Sequence, residues 1–297
     1  MVKKKKKLIN LLILGSTGQL GAEIYKVLEK KKNIKILNKK NFRLDFLKKN
    51  YLKKKLNEFD PQIIINCAAY TNVELAEKEK NKSKIINAKS LKTISKFCKI
   101  KGTILIHFST DYVFSSNTKK CFDERSVTKP INYYGFTKLL GEKTIKKTMK
   151  KFYIFRVSWL YSKTNNNFYT KIKQKILNKK IDKIYVVSDQ FGCPLSTKYV
   201  ADIIYNNINK IIKCELFYGV YHIGTKNYTN WYNFAKYINL KMNYKNKIYK
   251  IKSSDLSAIA KRPKYSVLKF RYFKYFVSKK KTWQEIFNNF YNKEYLR

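Results

Sequence analysis

The sequence predicts an α/β fold, a Rossmann-like doubly wound parallel sheet with a smaller, mainly helical C-terminal region. Three observations carry this. First, three of the nine glycines fall within Gly15-Ser16-Thr17-Gly18-Gln19-Leu20-Gly21, between a strand-length apolar run at 8–14 and a stretch at 20–30 that places Leu20, Ile24, Val27 and Leu28 on one helical face. Second, short apolar runs recur along the first two thirds of the chain with helical spacing between them. Third, from about Tyr228 the pattern turns helical and aromatic, with Trp231, Phe234 and Ile238 on one face.

Strand, glycine turn and helix together form a nucleotide-binding context. A helix start has unpaired N–H groups and a positive dipole end, so a pyrophosphate settles there if no side chain holds the backbone away. Gly15 is expected to make the tight turn, Gly18 to allow close approach, and Gly21 to let the helix pack against the strand. A second strand at 34–37 ends at Asn38, the place where an acidic residue ordinarily holds the adenosine ribose. Asn38 is neutral, and Lys39, Lys40 and Arg43 follow. A ribose phosphate fits such a site, which favours NADPH and leaves NADH open.

Asp60-Pro61 marks a turn into the β-branched run Ile63-Ile64-Ile65-Asn66, suited to a buried parallel strand. The small residues of Cys67-Ala68-Ala69-Tyr70-Thr71 follow, and 82–99 reads as a crossover helix. The fourth strand, 103–108, runs into Ser109-Thr110-Asp111-Tyr112-Val113-Phe114, setting hydroxyls and a carboxylate at a strand's C-terminal end, where open α/β sheets bind ligands. A helix over 133–150 then puts Tyr134 and Lys138 one turn apart on one face. An ammonium beside a phenol favours phenolate and is expected to lower the tyrosine's ordinary pKa of ~10 toward working pH. Such a tyrosine is a usable general acid or base. The fifth strand, 153–157, leads to Ser158-Trp159-Leu160-Tyr161, and Asn165-Asn166-Asn167 opens the next helix. A sixth strand is read at 184–187, before Ser188-Asp189-Gln190-Phe191-Gly192-Cys193-Pro194. Ala260-Lys261-Arg262-Pro263 reads as a loop and 282–291 as the final helix.

Composition narrows the function classes. No apolar run approaches the ~20 residues of a bilayer span. Lys3 to Lys7 followed by 8–14 imitates a signal peptide, but Asn10 interrupts the run and the glycine turn stands where a cleavage site belongs. Five cysteines, an odd number without C-x-x-C, fit a reducing cytoplasm. With only His107 and His222 present, no metal site is expected, and no G-x-S-x-G elbow accompanies them. The formal charge of +47 comes from 66 Lys and Arg, of which six are arginine, against 19 Asp and Glu. Lysine spread along the chain reads as a solvated surface, since dedicated nucleic-acid proteins cluster their basic residues and favour arginine forks. Salt-sensitive adhesion to polyanions is expected all the same.

The residues together resemble a known family. Gly15 to Gly21, Thr110, Tyr134 and Lys138 resemble the extended short-chain dehydrogenases. Ser109-Thr110-Asp111-Tyr112-Val113-Phe114, Tyr134-Gly135-Phe136-Thr137-Lys138, Arg156-Val157-Ser158-Trp159-Leu160-Tyr161, Asn166-Asn167-Phe168, Asp189-Gln190-Phe191-Gly192-Cys193-Pro194 and Arg262-Pro263 resemble the dTDP-4-dehydrorhamnose reductases within that group. The likeness runs from about Leu11 to about Leu268. It implies that a nicotinamide coenzyme lies along Gly18, Gln19 and Leu20, near Asn38, Asp45 and Phe46, beside Ala69, Tyr70 and Thr71, and against Phe108. It also implies that Thr110, Asp111 and Trp159 meet a sugar nucleotide, with Arg262 expected to meet its diphosphate. Asn38, where the family often carries aspartate, and Leu195, where threonine is common, depart from the pattern.

The expected reaction is hydride transfer from NADPH or NADH to C4 of dTDP-4-dehydro-L-rhamnose, with Tyr134 as acid, Lys138 holding the nicotinamide ribose and Thr110 orienting the carbonyl oxygen. Residues 1–165 are expected to form the dinucleotide-binding domain, with 184–225 contributing. Residues 166–183 and 226–297 are expected to form the substrate region. The expected partner is a small nucleotide sugar, with no specific nucleic acid and no membrane; a homodimer is left open. Three rivals stay in view: a nucleotide-sugar epimerase or dehydratase, a noncatalytic relative such as the regulatory subunit of methionine adenosyltransferase, and a lysine-rich nucleic-acid binder.

Overall fold

The computed structural model describes residues 8–295, so Lys3 to Lys7 lie outside the described residues. Six parallel strands form the central sheet in the spatial order Gly219–His222, Phe152–Val157, Ile104–Thr110, Ile63–Asn66, Ile9–Leu14, Ile34–Ile36. Alternation along the first strand explains the two covered faces. Leu11 and Ile13 point to one face, where Ile24 and Val27 of helix Gln19–Leu28 and Ile203 and Ile204 of helix Thr197–Ile212 close the core. Leu12 and Leu14 point to the other, against Leu52 and Leu56 of helix Lys49–Phe59, Leu91 and Ile94 of helix Ser90–Lys101, and Ile145 of helix Tyr133–Thr148. Among the described residues no helix is long and apolar enough to cross a membrane.

The chain leaves the first strand toward Ile34–Ile36 on one side and returns to Ile63–Asn66 on the other. The crevice between the carboxyl ends of Ile9–Leu14 and Ile63–Asn66 is therefore the topological switch point, where α/β sheets take their ligands. It is flanked by the glycine turn and by Cys67 to Thr71.

A strand does form at Lys183–Val187, but it pairs in parallel with Lys247–Ile251, outside the central sheet. The sixth strand of that sheet is Gly219–His222, which pairs with Phe152–Val157. Burial explains the difference: Lys183 and Tyr185 are exposed while Ile184 and Val186 are buried, a half-covered pattern unsuited to a strand enclosed on both faces. With helices Phe168–Leu177, Trp231–Lys241 and Trp283–Tyr295, this small sheet encloses a separate aromatic cluster around Tyr161, Tyr169, Phe234, Trp283 and Phe287.

Candidate active site

The glycine turn is built for backbone approach. Gly15 has φ +76°, and a Cβ there would stand 2.6 Å from the Ala68 backbone nitrogen. A Cβ on Gly21 would stand 2.1 Å from the Gly15 carbonyl oxygen and 3.0 Å from Ser16 Cα, so its close neighbour is the turn itself, not the strand. Gly18 is the N-cap of helix Gln19–Leu28 and provides no side chain to satisfy the first turn. That leaves the N–H groups and the dipole end facing the switch point for an anion. The local chemistry therefore fits a dinucleotide pyrophosphate.

Asn38 is placed otherwise than expected. It is buried, its Oδ1 accepts from Ile13 N at 2.9 Å, and its Nδ2 donates to Ser16 Oγ at 3.3 Å and to the Lys39 carbonyl at 3.2 Å. The amide extends the strand ladder where Ile34–Ile36 has ended and braces the glycine turn from behind. Arg43, Lys39 and Lys40 remain exposed nearby in sequence. Asp45 is exposed and accepts from Leu47 N, and Phe46 is half-buried against the Leu12 side of the core. Leu20 and the Phe108 ring are core, the latter tilted against Phe155 at 5.9 Å.

The segment of Ala69, Tyr70 and Thr71 is held by a residue that sequence reading missed. A π-helical turn at Ile85–Lys89 interrupts the crossover helix and presents Asn87. Its Oδ1 accepts from Tyr70 N at 2.8 Å, and its Nδ2 donates to Tyr70 O at 3.1 Å and to Thr137 Oγ1 at 3.0 Å. Such π-turns recur at functional sites, and here the turn ties the switch-point loop to helix Tyr133–Thr148.

That helix starts at Asn132, whose Oδ1 accepts from Gly135 N at 2.8 Å. Tyr134 and Lys138 follow one turn apart, but the ammonium does not lower the phenol's pKa. Lys138 is 2% exposed and donates to the Phe108 carbonyl at 2.7 Å; burial drives its pKa down to about 8, against which the Glu142 carboxylate acts. Burial pushes the Tyr134 phenol up to about 12. The Thr110 hydroxyl beside it offsets only part, and the Asp111 carboxylate adds to the rise. The expected lowering is thus reversed, because desolvation outweighs an ammonium aimed at a main-chain oxygen.

Thr110 and Asp111 end the strand Ile104–Thr110. Thr110 Oγ1 donates to Asp111 Oδ1 at 3.1 Å and accepts from Tyr112 N at 3.2 Å. Asp111 is 2% exposed, and its Oδ2 accepts from Ser158 Oγ at 3.2 Å and Ser266 Oγ at 2.5 Å. Burial raises its carboxyl to about 6 in spite of these hydroxyls. Asp111 therefore fastens the end of the sheet to the Trp159 turn and to the C-terminal segment.

These groups open into a cleft of about 530 Å³ lined by Gln19, Thr71, Thr110, Asp111, Tyr134 and Trp159. Trp159, at φ +47°, stacks on Trp231 with ring centroids 3.5 Å apart. Gln190 fixes that wall: its Oε1 accepts from Trp231 Nε1 at 3.2 Å and its Nε2 donates to Ser253 Oγ at 2.9 Å. Arg262 also lines the cleft; it donates to Glu74 Oε1 at 2.9 Å, and its buried Nε–H has no partner among the described residues. Lys171 and Lys175, one turn apart on helix Phe168–Leu177, line the same cleft. Neither lysine stood out in a sequence so rich in them.

Comparison with known proteins agrees with this geometry. The family described as RmlD substrate binding domain matches residues 9–296. The curated dTDP-4-dehydrorhamnose reductase of Escherichia coli K12 is 34% identical over 229 residues, 76% of each chain. The Bacillus subtilis spore coat polysaccharide biosynthesis protein SpsK is 30% identical over 88% of this chain and 89% of its own. Among solved structures, the Bacillus anthracis dTDP-4-dehydrorhamnose reductase in complex with NADP has a TM-score of 0.86 at 32% identity, covering 96% of this chain and 99% of that one. A UDP-glucose 4-epimerase from Thermus thermophilus, at 14% identity and TM-score 0.68, shares the fold. The glycine turn, the Thr110, Tyr134 and Lys138 cluster and a family match spanning 9–296 make this chain a member of the dTDP-4-dehydrorhamnose reductases, within the extended short-chain dehydrogenase/reductase superfamily.

Proposed function

We propose that this chain reduces the C4 keto group of dTDP-4-dehydro-L-rhamnose to give dTDP-L-rhamnose, with NADPH as coenzyme, the last step in making that nucleotide sugar. The observation that carries the reading is a single cleft lined by the uncapped helix start at Gln19, by Thr110 and Tyr134, and by the cationic groups Arg262, Lys171 and Lys175. When bound, the dihydronicotinamide supplies a hydride to the C4 carbon. Everything else is the work of this chain's side chains.

Tyr134 donates the proton that the carbonyl oxygen takes up. A reductase needs its acid protonated, so a phenol near 12 serves this direction: it keeps its proton at neutral pH and yields it only to an oxygen that is becoming an alkoxide. Thr110 aims the phenol, and Asp111 in turn holds Thr110. Lys138 is charged below about pH 8 and sits where it can hold the nicotinamide ribose. Asp111 meets the substrate through Thr110, since its own oxygens are already engaged by three hydroxyls. Trp159 on Trp231 walls the sugar. Arg262, Lys171 and Lys175 receive the diphosphate.

Gly15, Gly18, Gln19 and Gly21 take the coenzyme pyrophosphate, and Ala69, Tyr70 and Thr71 flank it. Arg43 with Lys39 and Lys40 takes the ribose phosphate. Asn38 contributes from behind the turn through its backbone brace. The pairing of strands supports a division in which residues up to 165 and about 195–225 bind coenzyme, while 166–194 and 226–297 bind the sugar nucleotide. All five cysteines are free thiols, which suits a reducing cytoplasm. The test is turnover by Tyr134→Phe: we expect a loss of ~10²–10⁴ in rate with NADPH binding retained. Parent-like turnover would refute the assignment.

A further inference from the structure

The face of helix Tyr133–Thr148 that carries the phenol and the ammonium does not end with them. Tyr134, Lys138 and Glu142 follow at i, i+4 and i+8, and Glu142 is wholly buried. We propose that Glu142 is a positioning residue for the reaction: its carboxylate, bound to Arg156 and set one helical turn from Lys138 on the same buried face, favours the Lys138 ammonium and so governs the hold on the coenzyme. This rests on reading Lys138 as a coenzyme-binding group.

The geometry is that of a buried anion bound by one buried cation, with a second buried cation one helical turn away. Arg156, 2% exposed, grips Glu142 with two forks, Nε to Oε1 at 2.9 Å and Nη2 to Oε2 at 2.6 Å. Ser109 Oγ adds a bond to Oε1 at 2.6 Å, and Ser109 directly precedes Thr110. The third guanidinium nitrogen is held too, since His222 gives its Nδ1–H to the Lys269 carbonyl at 2.9 Å and so presents Nε2 as acceptor to Arg156 Nη1 at 3.2 Å. The guanidinium also lies over the Phe114 ring at 4.9 Å. Arg156 is therefore fixed in place, and Glu142 with it.

Among the described residues, no other group facing Lys138 replaces this anion. From strand Ile104–Thr110 comes His107, 3.5 Å from Nζ, kept neutral because burial and the ammonium itself push its pKa well below the usual value. The Phe108 carbonyl is a dipole, not a charge. From the end of strand Ile63–Asn66 comes Cys67, whose thiol burial drives far above the ordinary range, so it is no thiolate. From the same helix come Tyr134, protonated at working pH, and Lys146, a further cation beside Glu142. Strand Phe152–Val157 contributes Arg156, which repels. Among the described residues Glu142 is thus the one charge that favours the ammonium, and its effect is moderated because Arg156 binds it directly. A lysine held this way stays cationic near neutrality yet is poised to lose its proton not far above, at about 8. An ion pair that only cemented the fold would leave the pH dependence of coenzyme binding untouched.

The test is the pH profile of NADPH binding, read by fluorescence, and of kcat/KM, in the full-length chain. The parent is expected to lose affinity as pH rises through about 8, and Lys138→Met is expected to be flat. Glu142→Gln should lose affinity about one pH unit earlier, the size of shift that loss of one nearby buried charge produces, and should match the parent at pH 6. Glu142→Asp, which keeps the charge, should keep the parent profile. If the lone guanidinium unfolds Glu142→Gln, the double variant Glu142→Gln/Arg156→Met carries the test, because replacing a buried pair together is tolerated far better than breaking it; its profile should move the same way by less. A Glu142→Gln or double-variant profile superimposed on the parent's, or a loss equal at every pH, would overturn the proposal while leaving Lys138 in place. A limb that persists in Lys138→Met would overturn the reading of Lys138 itself, and this proposal with it.

Discussion

Replacing Lys138 with Met should abolish coenzyme-dependent activity and yet make the protein more stable at neutral pH. The drop in the Lys138 pKa from 10.5 to about 8 on folding is worth about 3 kcal/mol. The sign follows from the direction. Between about 8 and 10.5 the unfolded chain binds a proton that the folded chain has lost, so stability rises with pH across that window. Below about 8 the fold carries the whole cost of a buried ammonium. Met removes that cost but forfeits the bond to the Phe108 carbonyl, worth ~1 kcal/mol. The variant should therefore gain ~2 kcal/mol at pH 7 and lose ~1 kcal/mol above pH 10.5. Paired urea unfolding curves at the two pH values measure this. Urea is preferred to guanidinium because a chain of net charge +47 responds strongly to added salt. A Lys138→Met protein less stable than the parent at pH 7, or offset equally at both pH values, would refute the reasoning.

Other consequences are separable. Gly21→Ala sets a Cβ 2.1 Å from the Gly15 carbonyl oxygen, which requires the turn to move; we expect NADPH affinity to fall at least tenfold and stability to drop by ~1–3 kcal/mol, as overpacking does, checked by fluorescence titration and thermal unfolding. Unchanged affinity would contradict the placement of the pyrophosphate. Arg262→Ala should raise KM for the sugar nucleotide about tenfold or more while NADPH binding stays the same, since a charged hydrogen bond is worth ~1.5–3 kcal/mol. A fall in NADPH affinity instead would move Arg262 to the coenzyme side. Asp111→Asn should lower kcat more than it raises KM if, as proposed, the side chain acts through Thr110; steady-state kinetics decide, and a pure KM effect would restore it as a direct contact.

What the sequence made legible is what local pattern encodes. The glycine turn has a backbone reason for each close approach, and the strands at Ile9–Leu14, Ile63–Asn66 and Phe152–Val157 are short apolar runs bounded by turns. Tyr134 and Lys138 share a helix face by spacing alone. What stayed hidden depends on where side chains turn in space. Asn38 sits at the position expected for ribose recognition but spends its amide on Ile13 and Ser16, and no pattern announces which way an amide faces. Lys138 stands one turn from the phenol, yet its ammonium finds a carbonyl contributed by a strand 30 residues earlier. Gly219–His222 begins with a glycine and ends in a histidine, too weak a strand signal to compete with 184–187, which alternates like an edge. Glu142 and Arg156 lie in different elements, and only Arg156 falls within a motif; their pairing needed the fold.

We propose that a hydride passes from the coenzyme to C4 of the sugar while Tyr134 protonates the oxygen. Supplying dTDP-4-dehydro-L-rhamnose with NADPH deuterated at the nicotinamide C4, one face at a time, tests it directly. With one of the two labelled forms, dTDP-L-rhamnose should appear carrying deuterium at sugar C4, in step with loss of the dihydronicotinamide absorbance. NADPH left unconsumed, or a product that keeps its keto group or lacks the label with both forms, would contradict it.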